Sequence, residues 1–357
     1  MKSDTVPTFH LAVLNPGGRD QPQAFPNGAG RVEDPGHLPV NFHAYAACTR
    51  GFFTTSAAGI PAERAVLLLI GRDMARAESV LRQLKDAGCQ TVVTIKETGA
   101  QQVAAAFQNA ANWAAFRRLC TQADGALATT LDTLPLYQAV GGPRLPVLFL
   151  PPPYPVEEWD LSPPPGSPRS GIFIGTRQLY VTSRLHPLAV LLAGTLQEQL
   201  SEPMTVISGR ASNLPPVKKL LSKLTDPCLA WHQQVTAPYP QARIISRQLP
   251  AAEYLRLMAE HKIVFQLDHS AVPGQVAGDA LLCRMPCVGG DGTAERLIFP
   301  DLCGHGRSTA ELMDLARRLL TEAAFAKEQV EKAEQIAREK MCFSSARRAL
   351  ESFYQSL

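Results

Sequence analysis

The chain has 357 residues, with 35 basic and 32 acidic side chains and a formal net charge of +3, so charge selects no polyanionic partner and nucleic acid is not an expected ligand. A composition of 45% hydrophobic and 19% charged residues is that of a globular protein and excludes a largely disordered chain. The length exceeds what one hydrophobic core supports, so two domains are expected.

The first predicted strand is Phe9-His10-Leu11-Ala12-Val13-Leu14, ending in Asn15-Pro16-Gly17-Gly18 and a Gly/Pro-rich loop to about Pro39. A helix is expected around residues 42–53. The uninterrupted apolar run Ala65-Val66-Leu67-Leu68-Leu69-Ile70 fits a strand covered on both faces of a parallel sheet. A helix over 74–87, closed by Gly88, leads to a strand at 91–95. Then follow a helix over 101–123, a strand at 125–129, a helix near 134–140 and a strand at 147–150. Strands separated by helices imply a doubly wound α/β domain over residues 1–150.

Residues 151–168 begin Pro151-Pro152-Pro153 and include Pro163-Pro164-Pro165-Gly166, too proline-dense for helix or strand, and read as a stiff linker. The rhythm restarts beyond it, in a second domain over 169–340. Strands are expected at 171–175, 204–208, 242–246, 263–267 and 286–289, with helices at 187–200, 216–224, 251–260 and 276–283. Helices from Glu311 and over 324–341 precede a terminal helix within 341–357, long enough to cross back to the first domain.

Up to residue 166 there are 13 basic against 14 acidic residues, and beyond it 22 against 18, a mildly basic second half that suits an anionic ligand. No run approaches the ~18 apolar residues of a spanning helix, and the start lacks the apolar stretch of a secretory signal. A cytoplasmic protein with reduced thiols is the expectation. Cys283, Cys287, Cys303 and His305 offer four donors at a spacing unlike the common zinc patterns, so these cysteines are read as small buried hydrophobes and no metal site is assigned.

In open α/β sheets ligands collect beyond the carboxyl ends of the strands, where glycine loops and helix N-termini present amides. The loops so placed carry Gly17 and Gly18; Arg177 and Arg184; Gly209; the stretch from Asp268 and His269 to Gly278; and Gly289-Gly290-Asp291-Gly292-Thr293, with Thr293 as cap of a helix from Ala294. The nucleotide fingerprints Gly-x-Gly-x-x-Gly and Gly-Lys-Ser/Thr are absent. Guanidinium groups at Arg177 and Arg184 suit a diphosphate.

From Ile245 onward, Leu249-Pro250-Ala251-Ala252-Glu253-Tyr254, residues 263–267, Gly278-Asp279-Ala280 through Arg284-Met285-Pro286-Cys287-Val288-Gly289, and Gly292-Thr293-Ala294-Glu295-Arg296-Leu297 resemble the second domain of GT-B-type retaining glycosyltransferases that use nucleotide sugars. The resemblance covers about 167–357 and implies two Rossmann-like domains facing across a cleft. It also implies transfer of a hexosyl unit from a UDP- or GDP-linked donor with no tightly bound cofactor; no Asp-x-Asp motif for a divalent metal occurs, so metal independence is expected. In that family two glutamates stand eight positions apart. The second, which binds the ribose, falls on Asp279; the first, near the transferred sugar, falls on Ala271, which supplies neither charge nor hydrogen bond. Asp268 or His269 replaces it only if the loop is shifted, and the usual glycine two before the proline is Arg284.

Loop position and the resemblance together give Gly17, Gly18, Arg177, Arg184, Gly209, Asp279, Gly289, Gly290 and Thr293 as donor-binding candidates, with Asp268 and His269, and His43 from the first domain, as catalytic candidates. The partners expected are a nucleotide sugar and a glycan, lipid-linked sugar, small-molecule or protein acceptor, with room for peripheral membrane association. Two other readings stay open: a catalytically degenerate relative that serves as a ligand-binding or protein-interaction module, and another enzyme of the same shape, such as a sugar epimerase.

Overall fold

A computed structural model of the chain describes residues 9–164, 166–175, 181–207, 227–247 and 249–357. It divides into two compact units, Met1–Trp159 with Ala337–Leu357, and Asp160–Ile336. Each is built on a largely parallel sheet between helices, a Rossmann-like arrangement.

The first unit holds β1 (Ala12–Leu14), β2 (Gln23–Ala24), β3 (Phe52–Thr54), β4 (Ala65–Ile70), β5 (Gln90–Ile95), β6 (Gly125–Ala128) and β7 (Val147–Phe149). Their order is β2-β3-β1-β4-β5-β6-β7, and only the β2–β3 pairing is antiparallel. In the central strand β4, residues Val66 to Ile70 are all buried, because helices cover both faces of a parallel sheet. The Met74–Asp86 and Ala110–Gln122 helices send Leu81, Leu84, Phe116 and Leu119 into this core. Buried Tyr137 accepts a hydrogen bond from the Ile95 amide at 2.6 Å, so its polar tip is satisfied among apolar neighbours.

The last helix, Phe343–Ser356, returns to this unit: Tyr354 donates from its hydroxyl to the Val66 carbonyl at 2.7 Å, and Gln90 donates to the Tyr354 carbonyl at 2.8 Å. The proline-rich segment is anchored here as well. The Tyr154 amide donates to Met341 at 2.7 Å, and the Trp159 indole donates to Gly30 at 2.8 Å.

The second unit has a wholly parallel sheet of β8 (Ile172–Ile174), β9 (Met204–Ile207), β10 (Ala242–Ile245), β11 (Ile263–Phe265) and β12 (Cys287–Val288), in the order β10-β9-β8-β11-β12. The helices His186–Leu200, Pro227–Thr236, Ala251–Ala259, Gln275–Leu282, Thr293–Ile298 and Thr309–Thr321 belong to it. Arg169 donates to the carbonyls of Cys283 at 2.7 Å and Arg284 at 2.6 Å, neutralising the carboxyl end of the Gln275–Leu282 helix.

Three local expectations differ from the structure. The helix over 101–123 is two helices, Ala100–Phe107 and Ala110–Gln122, because Asn109 caps the second by accepting from the Ala111 amide at 2.9 Å. The helix from 42 stops at Cys48: Arg50 turns left-handed (φ 53), Gly51 donates back to Ala46 at 2.8 Å, and the chain enters β3. Pro227–Thr236 is helical, an element the sequence reading lacks; the helix expected at 216–224 lies outside the described residues.

Candidate functional site in the second unit

The loops after β8, β11 and β12 meet at the carboxyl edge of the second sheet. Arg184 ends a short 3-10 turn, Thr182–Arg184, which is tied to the loop after β11 by the His269 amide donating to Ser183 at 2.7 Å. Its guanidinium donates to the Asp268 carboxylate, whose other oxygen accepts from the Ser270 amide at 2.8 Å and from the Ser270 hydroxyl. His269, between them, is exposed. Arg184, Asp268 and His269 are therefore brought together, with Asp268 already committed to the arginine.

Asp279 lies on the Gln275–Leu282 helix, and burial alone, with no hydrogen bond to its side chain among the described residues, acts on its carboxyl. Only 5% of the residue is exposed, and burial pushes its carboxyl up to about 8. In this setting the neutral acid prevails at pH 7. Ala271, at the other position of the glutamate pair, is left-handed (φ 51), so the backbone turns sharply where the carboxylate is missing. Arg284, in place of the usual glycine, is also left-handed (φ 49); its guanidinium pairs with Asp160 at 3.2 Å and Glu334 at 3.1 Å.

The glycine turn 289–293 is closed on its own protein. Gly289 donates to Leu302 at 2.8 Å, Asp291 to Asp268 at 2.7 Å, Thr293 to Val272 at 2.9 Å and Ala294 to Pro273 at 2.9 Å, while Gly290 accepts from Gly304 at 2.6 Å. These four amides are thus not free to cradle a phosphate. The cap of the Thr293–Ile298 helix is Gly292 and not Thr293, and it makes no side-chain capping bond. Asp291 receives the Arg296 guanidinium at 2.5 Å and His305 at 3.0 Å.

Two residues to which the sequence assigned no role complete this edge. Buried Glu295 accepts from the Gln266 amide at 2.7 Å, and burial, with the negative field of Asp268 beside it, pushes its carboxyl up to about 7. A glutamine at the end of an apolar strand and a glutamate on an otherwise buried helix face were the available signals. Cys283, Cys287 and Cys303 are buried free thiols, and no group of three or more His, Cys, Asp or Glu suited to a metal occurs among the described residues. Arg177 and Gly209 lie outside the described residues.

The first-unit candidates are placed differently from the expectation. The Gly17 amide donates to Thr55, after β3, at 3.1 Å and the Gly18 amide to Asn15 of its own turn at 3.0 Å, so both amides are spent within the unit. His43 is buried between His37 and Phe53, with ring centroids 4.0 and 3.9 Å away and nearly parallel planes. Its Nε2 donates to the Gln21 carbonyl at 3.0 Å, and burial lowers its pKa to about 4. A neutral ring covered on both faces is placed as a packing element, in contrast to the reactive base anticipated.

No protein-family profile and no curated protein sequence matches this chain. Solved structures do match. A UDP-forming α,α-trehalose-phosphate synthase from Burkholderia xenovorans superimposes with a TM-score of 0.61 at 9% identity, covering 97% of this chain and 98% of the other. Sucrose-phosphate synthase from Thermosynechococcus elongatus gives 0.59 at 12% identity, covering 98% of both. The E. coli trehalose-6-phosphate protein bound with UDP-2-fluoro glucose gives 0.60 at 11% identity, covering 83% of this chain and 73% of that one. At such identities the likeness is one of fold, and the chain has the GT-B-like fold of two Rossmann-like domains that these glycosyltransferases share.

Proposed function

We propose that the chain is a glycosyltransferase that moves a hexosyl group from a UDP- or GDP-linked donor to an acceptor with retention of configuration. Donor binding is assigned to the second unit and the acceptor surface to the first. The observation that carries this reading is Asp279, a nearly buried carboxyl group lacking a hydrogen-bond partner among the described residues, on the helix beside the glycine turn. An acid placed this way suits the hydroxyls of a ribose, which both donate and accept.

In this reading Arg184 leaves Asp268 to meet the diphosphate, whose charge grows as the glycosyl bond breaks. Asp268, released from the arginine and three positions before Ala271 in the same loop, then serves near the transferred sugar in place of the missing carboxylate. No divalent metal enters the scheme, and a cytoplasmic setting is assigned with it. A thermal-shift screen of UDP, GDP, ADP and their sugar conjugates tests it, since a ligand that binds only the folded form raises its melting temperature. Stabilisation by one diphosphate together with slow hydrolysis of its sugar conjugate is expected; indifference to all of them overturns the reading.

Ala271 favours a second reading, a degenerate relative that binds a nucleotide sugar or a partner protein without turnover. Donor binding with no hydrolysis and no transfer to any acceptor selects it.

A further inference from the structure

Glu295 is 2% exposed and unlike an ordinary buried carboxylate. One oxygen accepts from Gln266 at 2.7 Å, while Oε2 is buried with no hydrogen-bond partner. The carboxyl group is enclosed by three glycines: a Cβ on Gly274 or Gly292 would fall 2.0 or 2.4 Å from Oε2, and one on Gly290 would fall 3.1 Å from Oε1. These glycines belong to the cap of the Asp279 helix and to the turn 289–293. The same segments are joined by the amides of Thr293 and Ala294 donating to Val272 and Pro273, each at 2.9 Å.

The charged neighbours do not neutralise it. Arg184 favours the anion, but it is engaged by Asp268, whose charge opposes the anion more strongly; Cys287 on β12 is a buried thiol; and Arg296, on the same helix, pairs with Asp291. An ionised carboxylate with an unpartnered oxygen is disfavoured there, whereas an acid bearing a hydrogen on Oε2 carries no charge to solvate.

We propose that Glu295 is a positioning residue of the candidate site, acting as an uncharged acid that clasps the turn 289–293 to the segment opening the Asp279 helix. Ionisation of Glu295 loosens this clasp. The inference deepens the reading of the same site, but its test uses no nucleotide, so the two fail separately.

The test is hydrogen–deuterium exchange of the Asp291, Thr293 and Ala294 amides in the full chain from pH 4.5 to 8, corrected for the intrinsic pH dependence of exchange, in the parent, E295Q and E295A. Asp279 is present in all three, so differences between them belong to position 295. Because Glu295 holds its proton more tightly when the clasp is closed, protection in the parent falls by about a hundredfold between pH 4.5 and 7 and then levels. E295Q, neutral and of the same size, lacks this decline, and E295A is poorly protected throughout. Equal pH slopes in the parent and E295Q overturn the proposal, as does an E295A protein as protected as the parent. Should E295A fail to fold, the comparison of parent with E295Q decides alone.

Discussion

Arg184 and Asp268 are closed on each other: the guanidinium donates to a carboxylate whose side chain is only 5% exposed, and Ser270 holds the other oxygen of that carboxylate. An anionic ligand at this edge has to compete with Asp268 for the arginine. In D268N the competition weakens, so nucleoside diphosphate binding should tighten while the free protein loses about 1–3 kcal/mol, the smaller end reflecting the partly exposed arginine. R184Q should weaken diphosphate binding by roughly tenfold or more. Isothermal titration with UDP and GDP, beside urea melts, checks both; unchanged affinity in both variants would remove Arg184 from the site.

Asp279 makes stability depend on pH. Its carboxyl is raised to about 8 by burial, so its contribution is fully present below the ordinary carboxylate range and is lost as pH rises through about 8. D279N should shed this loss, gaining on the parent by about 1.4 kcal/mol for each pH unit inside that window. Urea midpoints at pH 5, 7 and 9 measure the difference. A D279N protein whose pH dependence matches the parent would mean that Asp279 is solvated.

His186 and His232 give a dependence of opposite sign. Their Nε2 atoms are 2.8 Å apart in a fully buried pair, and burial lowers the His186 pKa to about 3. The contribution of His186 is present above the ordinary histidine value and lost as pH falls from there toward 3. H186Q should be less stable than the parent at pH 7 by about 1–2 kcal/mol, yet lose less on going to pH 4.5. Parallel acid slopes for the two proteins would argue against a buried neutral pair.

Gly289 tests the closure of the glycine turn. Its φ is 78°, and a Cβ would fall 1.9 Å from the Gln266 carbonyl oxygen. G289A should cost about 2–4 kcal/mol, from left-handed strain plus displacement of β11 from the turn. Thermal melts report this, and a loss under 1 kcal/mol would show that the turn opens easily.

The parallel strands were the legible part of the fold, since a run such as Ala65–Ile70 with no polar alternation has one stable home, between two helical layers. The short strand β3 was hidden because Phe52–Thr54 follows a helical pattern with little local punctuation, and only pairing with β1 and β2 makes it a strand. At the site, Arg184 and Asp268 were legible as charged residues after strands. Gln266 and Glu295 were not, because neither neighbourhood names a polar partner until the two, 29 positions apart, are brought to 2.7 Å.

Local periodicity and the spacing of apolar runs determined two α/β halves, with candidate chemistry in the loops after the strands. Tertiary structure alone decided which groups in those loops remain available. The amides of Gly17, Asp291 and Thr293 are taken by carbonyls of neighbouring segments and that of Gly18 by its own turn, and burial raises the carboxyls of Asp279 and Glu295 well above the ordinary range. The reason is physical: a residue's helix or strand preference is set by its near neighbours, whereas its hydrogen-bond vacancy and protonation depend on which distant atoms exclude water from it.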